Sequence, residues 1–556
     1  MKKLLSFLLA AAMVIVSATG CSSSPSAESG ASSATSSQGE SSGGGSEGLE
    51  PLKENLEGPI VEEPITLKGF VSESSQFSQN YDELTFWKKL SEETNINFEF
   101  ERVPSQGWKE KLNLKLTSGS LPDFFGGTYN CVTADDVAKY ANTAFLDFSG
   151  LLDNNAPNLK ALMAEDPQIE KVMRSLDGGM YSFCSIYTKV EQDVGGMPYI
   201  NTKWLDNLGM DMPETTDELY EVLKAFKTQD PNGNGKADEI PMSAMDKTLG
   251  SVLIEVVGGA FGFPYYANYI AIDDQGKTYF TPATDGYKEA IKYIQKLYSE
   301  GLLDKEIFSI DRSKFVAKAN QGRDNQTVGL AIAGVQEQNF IGKDSLDDYE
   351  PLLPIEGPDG YRGAVNDNAA YMVNNFVITT ANKYPEETVR LVDRLYSPMW
   401  SLQEFEGMVG ESIELSEDGK RYQYMTPKGD ISIDQMRFQS APVSMPYCMN
   451  AERMDELMVP DPLMMDNTWG NCRKYEPYLD VYTPNPPTWP MSVDDAKEVA
   501  RMKVDMQKLI EEKRGNWVSG KGDIDAEWEG YINTLKSMGM DKYVEYHQKA
   551  YDAFNK

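Results

Sequence analysis

An α/β fold in two or more lobes is what the sequence predicts, and three observations carry that expectation. At 556 residues the chain is too long for one hydrophobic core. Its composition, 40% hydrophobic and 25% charged, is that of a water-soluble globular chain. Apolar periodicity then alternates between two residues and three to four, strand to helix and back. That pattern builds a parallel sheet covered by helices.

The first twenty-one residues read as outside the fold. Lys2 and Lys3 precede the thirteen-residue apolar run Leu4–Val16, too short to span a bilayer and suited to a signal peptide over residues 1–20. The run ends in "SATGC", whose Thr19, Gly20 and Cys21 resemble a bacterial lipobox; that resemblance implies lipidation of Cys21. The alternative is ordinary cleavage that leaves an unpaired exported thiol. From Cys21 to Gly48 nearly every residue is Ser, Gly or Ala, so residues 21–58 are expected to be a flexible tether and 59–556 the folded part. The expected location is the outer face of the cell membrane, with the lipid as the sole membrane attachment.

Within the folded part, "EPITLKGFVSE" alternates as a strand ending near Ser72. Leu84, Trp87 and Leu90 then share one helix face, feeding the second strand "INFEFERV". "WKEKLNLKLTSGSLPDFFGG" repeats the cycle: helix, turn at Ser118–Gly119, short strand. Ligands of such sheets sit beyond the carboxyl ends of strands. Phe77 and Gln79 follow the first strand, and Tyr129 and Asn130 the third.

Further along, Thr215 and Glu218 form a capping box that opens a helix with the buried stripe Leu219, Val222, Leu223 and Phe226. That helix leads into "DPNGNGKADEIP", residues 230–241. Asp230, Asn232 and Asn234 occupy the first, third and fifth positions of an EF-hand loop, Gly235 the sixth, the Lys236 carbonyl the seventh and Asp238 the ninth. The twelfth position is proline where a bidentate glutamate belongs, and Glu239 is the nearest substitute. A solvated Gly/Asn turn is the competing reading. Without an exit helix, any metal here would staple the fold rather than switch it.

A net charge of −34 argues against a nucleic-acid partner, which needs clustered Lys and Arg. The single histidine, His547, removes most acid–base and zinc chemistry, and it is expected on a helix surface. Cys131, Cys184, Cys448 and Cys472 contain no CxxC; Cys448 and Cys472 could pair, though sequence does not decide it.

Several blocks resemble the bacterial extracellular solute-binding proteins of family 1, in that family's order. They include "LTSGSLPDFF", "NTKWLDNLGMDMPETTDELYEVLKAFKTQDPNGNGKADEIPM", "YKEAIKYIQKLYSEGLLDKEIF", "YMVNNFVITTANKYPEETVRLVDRLYS" and the tail from Ser519. The likeness runs from about residue 60 to 554. It implies a periplasmic-binding-protein-like fold: two α/β lobes, discontinuous in sequence, joined by hinge crossings around a central ligand cleft. It also implies a structural calcium held by Asp230, Asn232, Asn234, the Lys236 main chain, Asp238 and Glu239.

The cleft of such a protein should be aromatic and polar, since sugars offer flat apolar faces ringed by hydroxyls. The loop aromatics Phe77, Trp108, Tyr129, Tyr265, Tyr266, Trp400 and Trp469 are candidates, with Gln79, Asn130, Gln338 and Glu411 as polar companions. Trp87, Trp204 and Trp528 lie within helical patterns and are expected in cores. The expected function is capture, by a non-enzymatic monomer, of a carbohydrate, first of all an oligosaccharide, for the permease subunits of an ABC importer. The alternatives are a surface glycoside hydrolase using two carboxylates and a ligand-sensing receptor subunit.

Overall fold

The computed structural model describes residues 58–73, 81–127, 130–188, 194, 196–245, 252–332, 341–367, 369–428, 431, 433–460 and 470–556. Its strands are β1 (Ile65–Glu73), β2 (Ile96–Pro104), β3 (Phe124–Gly126), β4 (Phe183–Ile186), β5 (Pro198–Asn201) and β6 (Ile240–Ala244). They continue as β7 (Ile270–Ile272), β8 (Thr278–Phe280), β9 (Val328–Ile332), β10 (Tyr349–Pro351), β11 (Tyr371–Ile378), β12 (Ile413–Leu415) and β13 (Tyr422–Tyr424).

One sheet has the order β2-β1-β3-β11-β4 and another β10-β5-β9-β6, each the centre of its own lobe. The first begins as expected, with β1 parallel to both β2 and β3. It is not wholly parallel, however: β11 runs antiparallel to β3 and β4. The reason is connectivity. β11 enters this lobe from the other one, without the right-handed helical crossover that makes a local neighbour parallel.

Alternation of side chains sorts the first sheet into two faces. Leu67, Val71, Phe124, Phe376 and Ile378 join the core on one side, while Phe70, Phe125 and Val377 join the core on the other. Gly127 has φ +81°, and a Cβ there would come within 2.9 Å of the Ser72 carbonyl, so only glycine lets β3 turn off against β1.

The second lobe has its own core. The helix Thr216–Thr228 carries the expected capping box, Thr215 accepting from the Glu218 N–H and Glu218 returning to the cap. Leu219, Val222, Leu223 and Phe226 bury against Met242 and Leu330 of β6 and β9. Each such side chain contributes about 1.5–3 kcal/mol by leaving water.

The chain passes from first lobe to second between β4 and β5, returns between β10 and β11, and passes again between Leu457 and Gly470. Val194 and Asn366, on the first two crossings, bridge one another. The C-terminal helix Met540–Phe554 also spans the lobes: Met540 and Tyr543 lie in the second core, and Phe554 lies in the first.

One expectation is corrected, and one question that the sequence left open is answered. His547 is buried, only 3% exposed, because it continues the 540–543–547–550–554 stripe that faces the core. The four described cysteines are buried and form no disulfide with one another. Cys448 lies in the first core and Cys472 in the second. Trp87 and Trp204 are core residues as expected, and Trp528 is partly buried against the second core. Among the described residues no helix is long and apolar enough to cross a membrane.

Candidate ligand cleft

A cavity of ≈ 660 Å³ has walls from both lobes. That is within the range of about 300–1,000 Å³ usual for small-molecule sites. The first-lobe wall includes Asn130, Arg174, Ser182 and Asn374; the second-lobe wall is the loop Pro487–Val493, with Trp489 at its centre.

Asn130 reaches this wall because the chain leaving β3 turns through a left-handed residue, φ +53°, which Asn tolerates better than most side chains. Its backbone N–H donates to Asn375 Oδ1 at 3.2 Å. Asn374 is also left-handed, φ +59°, at a register shift in β11. Bulges of this kind re-aim a side chain out of the ladder. Ser182 Oγ donates to Asn374 Oδ1 at 2.6 Å, and Asn375 Nδ2 donates to Ser185 Oγ at 2.8 Å. The buried amides are thus fixed in orientation, and the Asn374 NH₂ group keeps donors for a ligand.

The opposite wall is built from the second lobe. Ser492 caps the helix Val493–Val518, accepting from the Asp495 N–H. The preceding loop packs Trp489 against the second core. Behind the indole stands His547, in edge contact at a centroid distance of 5.0 Å. Burial first, and the Lys503 charge as well, push the imidazole down to about 4 despite its bond to the Tyr543 carbonyl. Trp489 therefore rests on a neutral ring near pH 7.

Of the aromatic candidates named from sequence, four fall in packed interior. Trp108 is 8% exposed, donating its indole N–H to the Cys131 carbonyl at 2.7 Å, with its ring 5.1 Å from Phe70. Trp400 donates to Glu93 at 3.1 Å and meets Phe86 edge-on. The Tyr265 hydroxyl accepts from Arg514 at 2.8 Å. Tyr266 donates to the Asn366 carbonyl at 3.2 Å, bracing a crossing segment. Each is held where its polar tip meets a protein partner, as buried Tyr and Trp generally are. Glu411 is exposed and accepts from the Thr85 hydroxyl at 2.6 Å; it is not among the residues lining the cavity. Asn130 is brought to the cavity. Phe77, Gln79, Tyr129, Gln338, Trp469 and Cys21 lie outside the described residues. Trp489 was not singled out from sequence; the signal available was a tryptophan in the proline-rich stretch "NPPTWPM", outside any helical or strand period.

The 230–241 loop follows its helix and leads directly into β6, so no exit helix is present. Asp230, Gly233 and Gly235 all have positive φ. Asp230 Oδ2 accepts from the Gly235 N–H at 3.1 Å, and Asn234 Nδ2 donates to Asp238 Oδ1 at 3.0 Å. Glu239 Oε1 is buried without a hydrogen-bond partner. Burial, with the nearby Asp238 and Asp230 charges, raises the Glu239 carboxyl. Among the described residues no three His, Cys, Asp or Glu side chains gather in chelating geometry, so any cation here would also need the Asn and main-chain oxygens.

The family described as bacterial extracellular solute-binding protein matches residues 72–401. The fructooligosaccharide ABC transporter substrate-binding protein FusA of Streptococcus pneumoniae is 30% identical over 89% of this chain and 91% of its own length. Its structure in complex with kestose superposes with a TM-score of 0.75 at 28% identity, covering 88% of this chain and 99% of that one. An EF-hand mutant of the same protein, in complex with fructo-nystose, gives 0.74 at 28% identity over the same shares of the two chains. An HMO-binding, ABC-transporter-associated solute-binding protein of Bifidobacterium longum infantis gives 0.77 at 26% identity, covering 89% of this chain and 100% of that one. With the two-lobe fold and a cavity shared between the lobes, these likenesses make the chain a member of the bacterial extracellular solute-binding protein family.

Proposed function

We propose that this protein captures an oligosaccharide outside the cell and passes it unchanged to the permease subunits of an ABC importer. The observation that carries the reading is the cavity shared by both lobes, with Asn130 and the oriented Asn374 amide on one wall and a tryptophan on the other. A pyranose or furanose offers C–H faces to an indole and hydroxyls to amides, so the two walls match its two chemistries. The ligands of the relatives, fructooligosaccharides and HMO, support the same class. Lobe closure about the crossings would enclose the sugar. Lipidation at Cys21 and a tether over residues 21–58 would keep the monomer at the membrane.

Calcium in the 230–241 loop belongs to the same reading. The orphaned Glu239 oxygen, set against Asp230 and Asp238, fits a cation better than it fits an empty turn. The relative's EF-hand variant supports a metal loop in this family. Asp230, Asn232, Asn234, Asp238, Glu239 and the Lys236 carbonyl would hold it. Its contribution would be charge neutralisation that ties the helix end to β6.

The test is calorimetric titration with an oligosaccharide panel, with chromatography of the sugar afterwards. Binding with unchanged sugar is the expected result, and Trp489→Ala should weaken it by about 1 kcal/mol or more, the scale of an aromatic contact beyond its area. Steady conversion to shorter products would establish a glycoside hydrolase instead.

A further inference from the structure

The chemical class of the ligand follows from the charges on the cavity wall. Among its described lining residues only Arg174 and Asp177 are charged. The Arg174 guanidinium is paired within its own helix and turn: Nε and Nη2 donate to Glu170 Oε1 at 2.9 and 2.5 Å, and Nη1 donates to the Gly178 carbonyl at 2.5 Å. Asp177 accepts from the Tyr181 hydroxyl at 2.6 Å and the Gly179 N–H at 3.0 Å.

A helix N-terminus is the other device that could receive an anion. The 26-residue helix Val493–Val518 begins at the wall. Its first turn is capped by Ser492 and carries Asp494 and Asp495, which cancel the positive end of the dipole. The short helix Ala134–Tyr140 enters the same wall behind the Thr133–Asp136 capping box, with Asp135 beside it.

We propose that this cavity takes uncharged oligosaccharides and rejects uronate-containing ones, because every cation-like group on its described wall is already neutralised from within the protein. The inference rests on the sugar-binding reading above. The Arg174–Glu170 pair is half-exposed and weak in itself. Even so, a uronate taking Arg174 would have to displace Glu170, one carboxylate for another, and gain little in the exchange. It would still lose its own hydration beside the negative Asp177 carboxylate on the wall. Neutral hydroxyls face no such penalty, and the Asn130 and Asn374 amides suit them.

The experiment is calorimetry on the full-length protein in detergent with kestose, cellotetraose and mannotetraose against tetragalacturonate and an alginate tetramer, at low and high salt. At least one neutral sugar should bind with little salt dependence, and the uronates should bind at least about 100-fold more weakly, a difference of about 2.7 kcal/mol. A uronate binding as tightly as the best neutral sugar, and loosening with salt, would overturn the proposal. If none of the five binds, the sugar-binding reading falls first and this inference falls with it. A second arm uses Glu170→Gln, which frees Arg174 at a surface position and leaves the rest of the wall intact. Tetragalacturonate affinity should rise at least about tenfold, the scale of one charge-assisted hydrogen bond, with neutral binding unchanged. An unchanged uronate affinity would refute the role given to the Arg174 pairing.

Discussion

His547 ties the stability of this protein to pH in a direction that can be worked out from its surroundings. The imidazole is 3% exposed, its Nδ1 lies 2.8 Å from the Tyr543 carbonyl, and Trp489 and Tyr543 cover its faces and edge. Burial holds it at about 4 against an ordinary 6.5. In that interval the unfolded chain binds a proton that the folded chain refuses, so stability falls as pH drops through 6.5 and levels off below 4. At about 1.36 kcal/mol per pH unit, the full loss is about 3 kcal/mol, and about 2 kcal/mol of it is reached by pH 5. Glu404 acts in the opposite sense. Burial pushes its carboxyl up to about 8, so its contribution is present at low pH and lost as pH rises towards 8. Comparing wild type with His547→Phe cancels Glu404, since both proteins carry it. Urea denaturation followed by tryptophan fluorescence at pH 7.5, 6 and 5 is the assay. Wild type should lose about 2 kcal/mol more than the variant between pH 7.5 and 5. Parallel curves for the two proteins would refute the claim that a neutral, water-excluded imidazole supports Trp489.

Three further outcomes are expected. Chelation should lower the melting temperature by about 3 °C if calcium stands at 100 times its dissociation constant, since about 2.7 kcal/mol is spread over about 2.1 cal/mol/K per residue. Glu239→Gln should melt at the same temperature with or without chelator in differential scanning calorimetry; a wild type indifferent to chelator would remove the metal from the 230–241 loop. Cys21→Ala should move the protein from the membrane fraction to the culture medium, read by immunoblot of the two fractions, and retention in the membrane would exclude a lipid at that position.

The features most legible in the sequence were those fixed by neighbours a few residues away. The Thr215–Glu218 capping box and its stripe Leu219, Val222, Leu223 and Phe226 appear as expected. So do β1, β2, β3 and the helices between them. The antiparallel β11 was not legible, because its direction depends on the lobe from which the chain arrives rather than on its own residues. His547 is a different case: imidazole polarity favours a surface position, while its place in the 540–543–547–550–554 stripe buries it. The loop Pro487–Val493, distant in sequence from the helix, supplies the cover that makes burial of an imidazole tolerable.

The tryptophans show why the cleft was harder to read than the fold. Trp108 and Trp400 stand in the first turns of helices, next to the loops where function tends to gather, but each has an indole N–H bonded within its own lobe. Such a residue is already satisfied and gains nothing from a ligand. Trp489 differs in its surroundings rather than in its own chemistry. Pro487 and Pro490 flank it and remove two backbone donors from the loop. The Ser492 cap fixes where the following helix begins, and that helix meets Ala134–Tyr140 of the opposite lobe. Trp489 therefore lines one cavity with Asn130 and Asn374 only because two helices far apart in sequence pack across the lobes. A binding wall assembled from both halves of a hinged protein has no local period or motif of its own, and its residues become identifiable once the crossings bring the halves together.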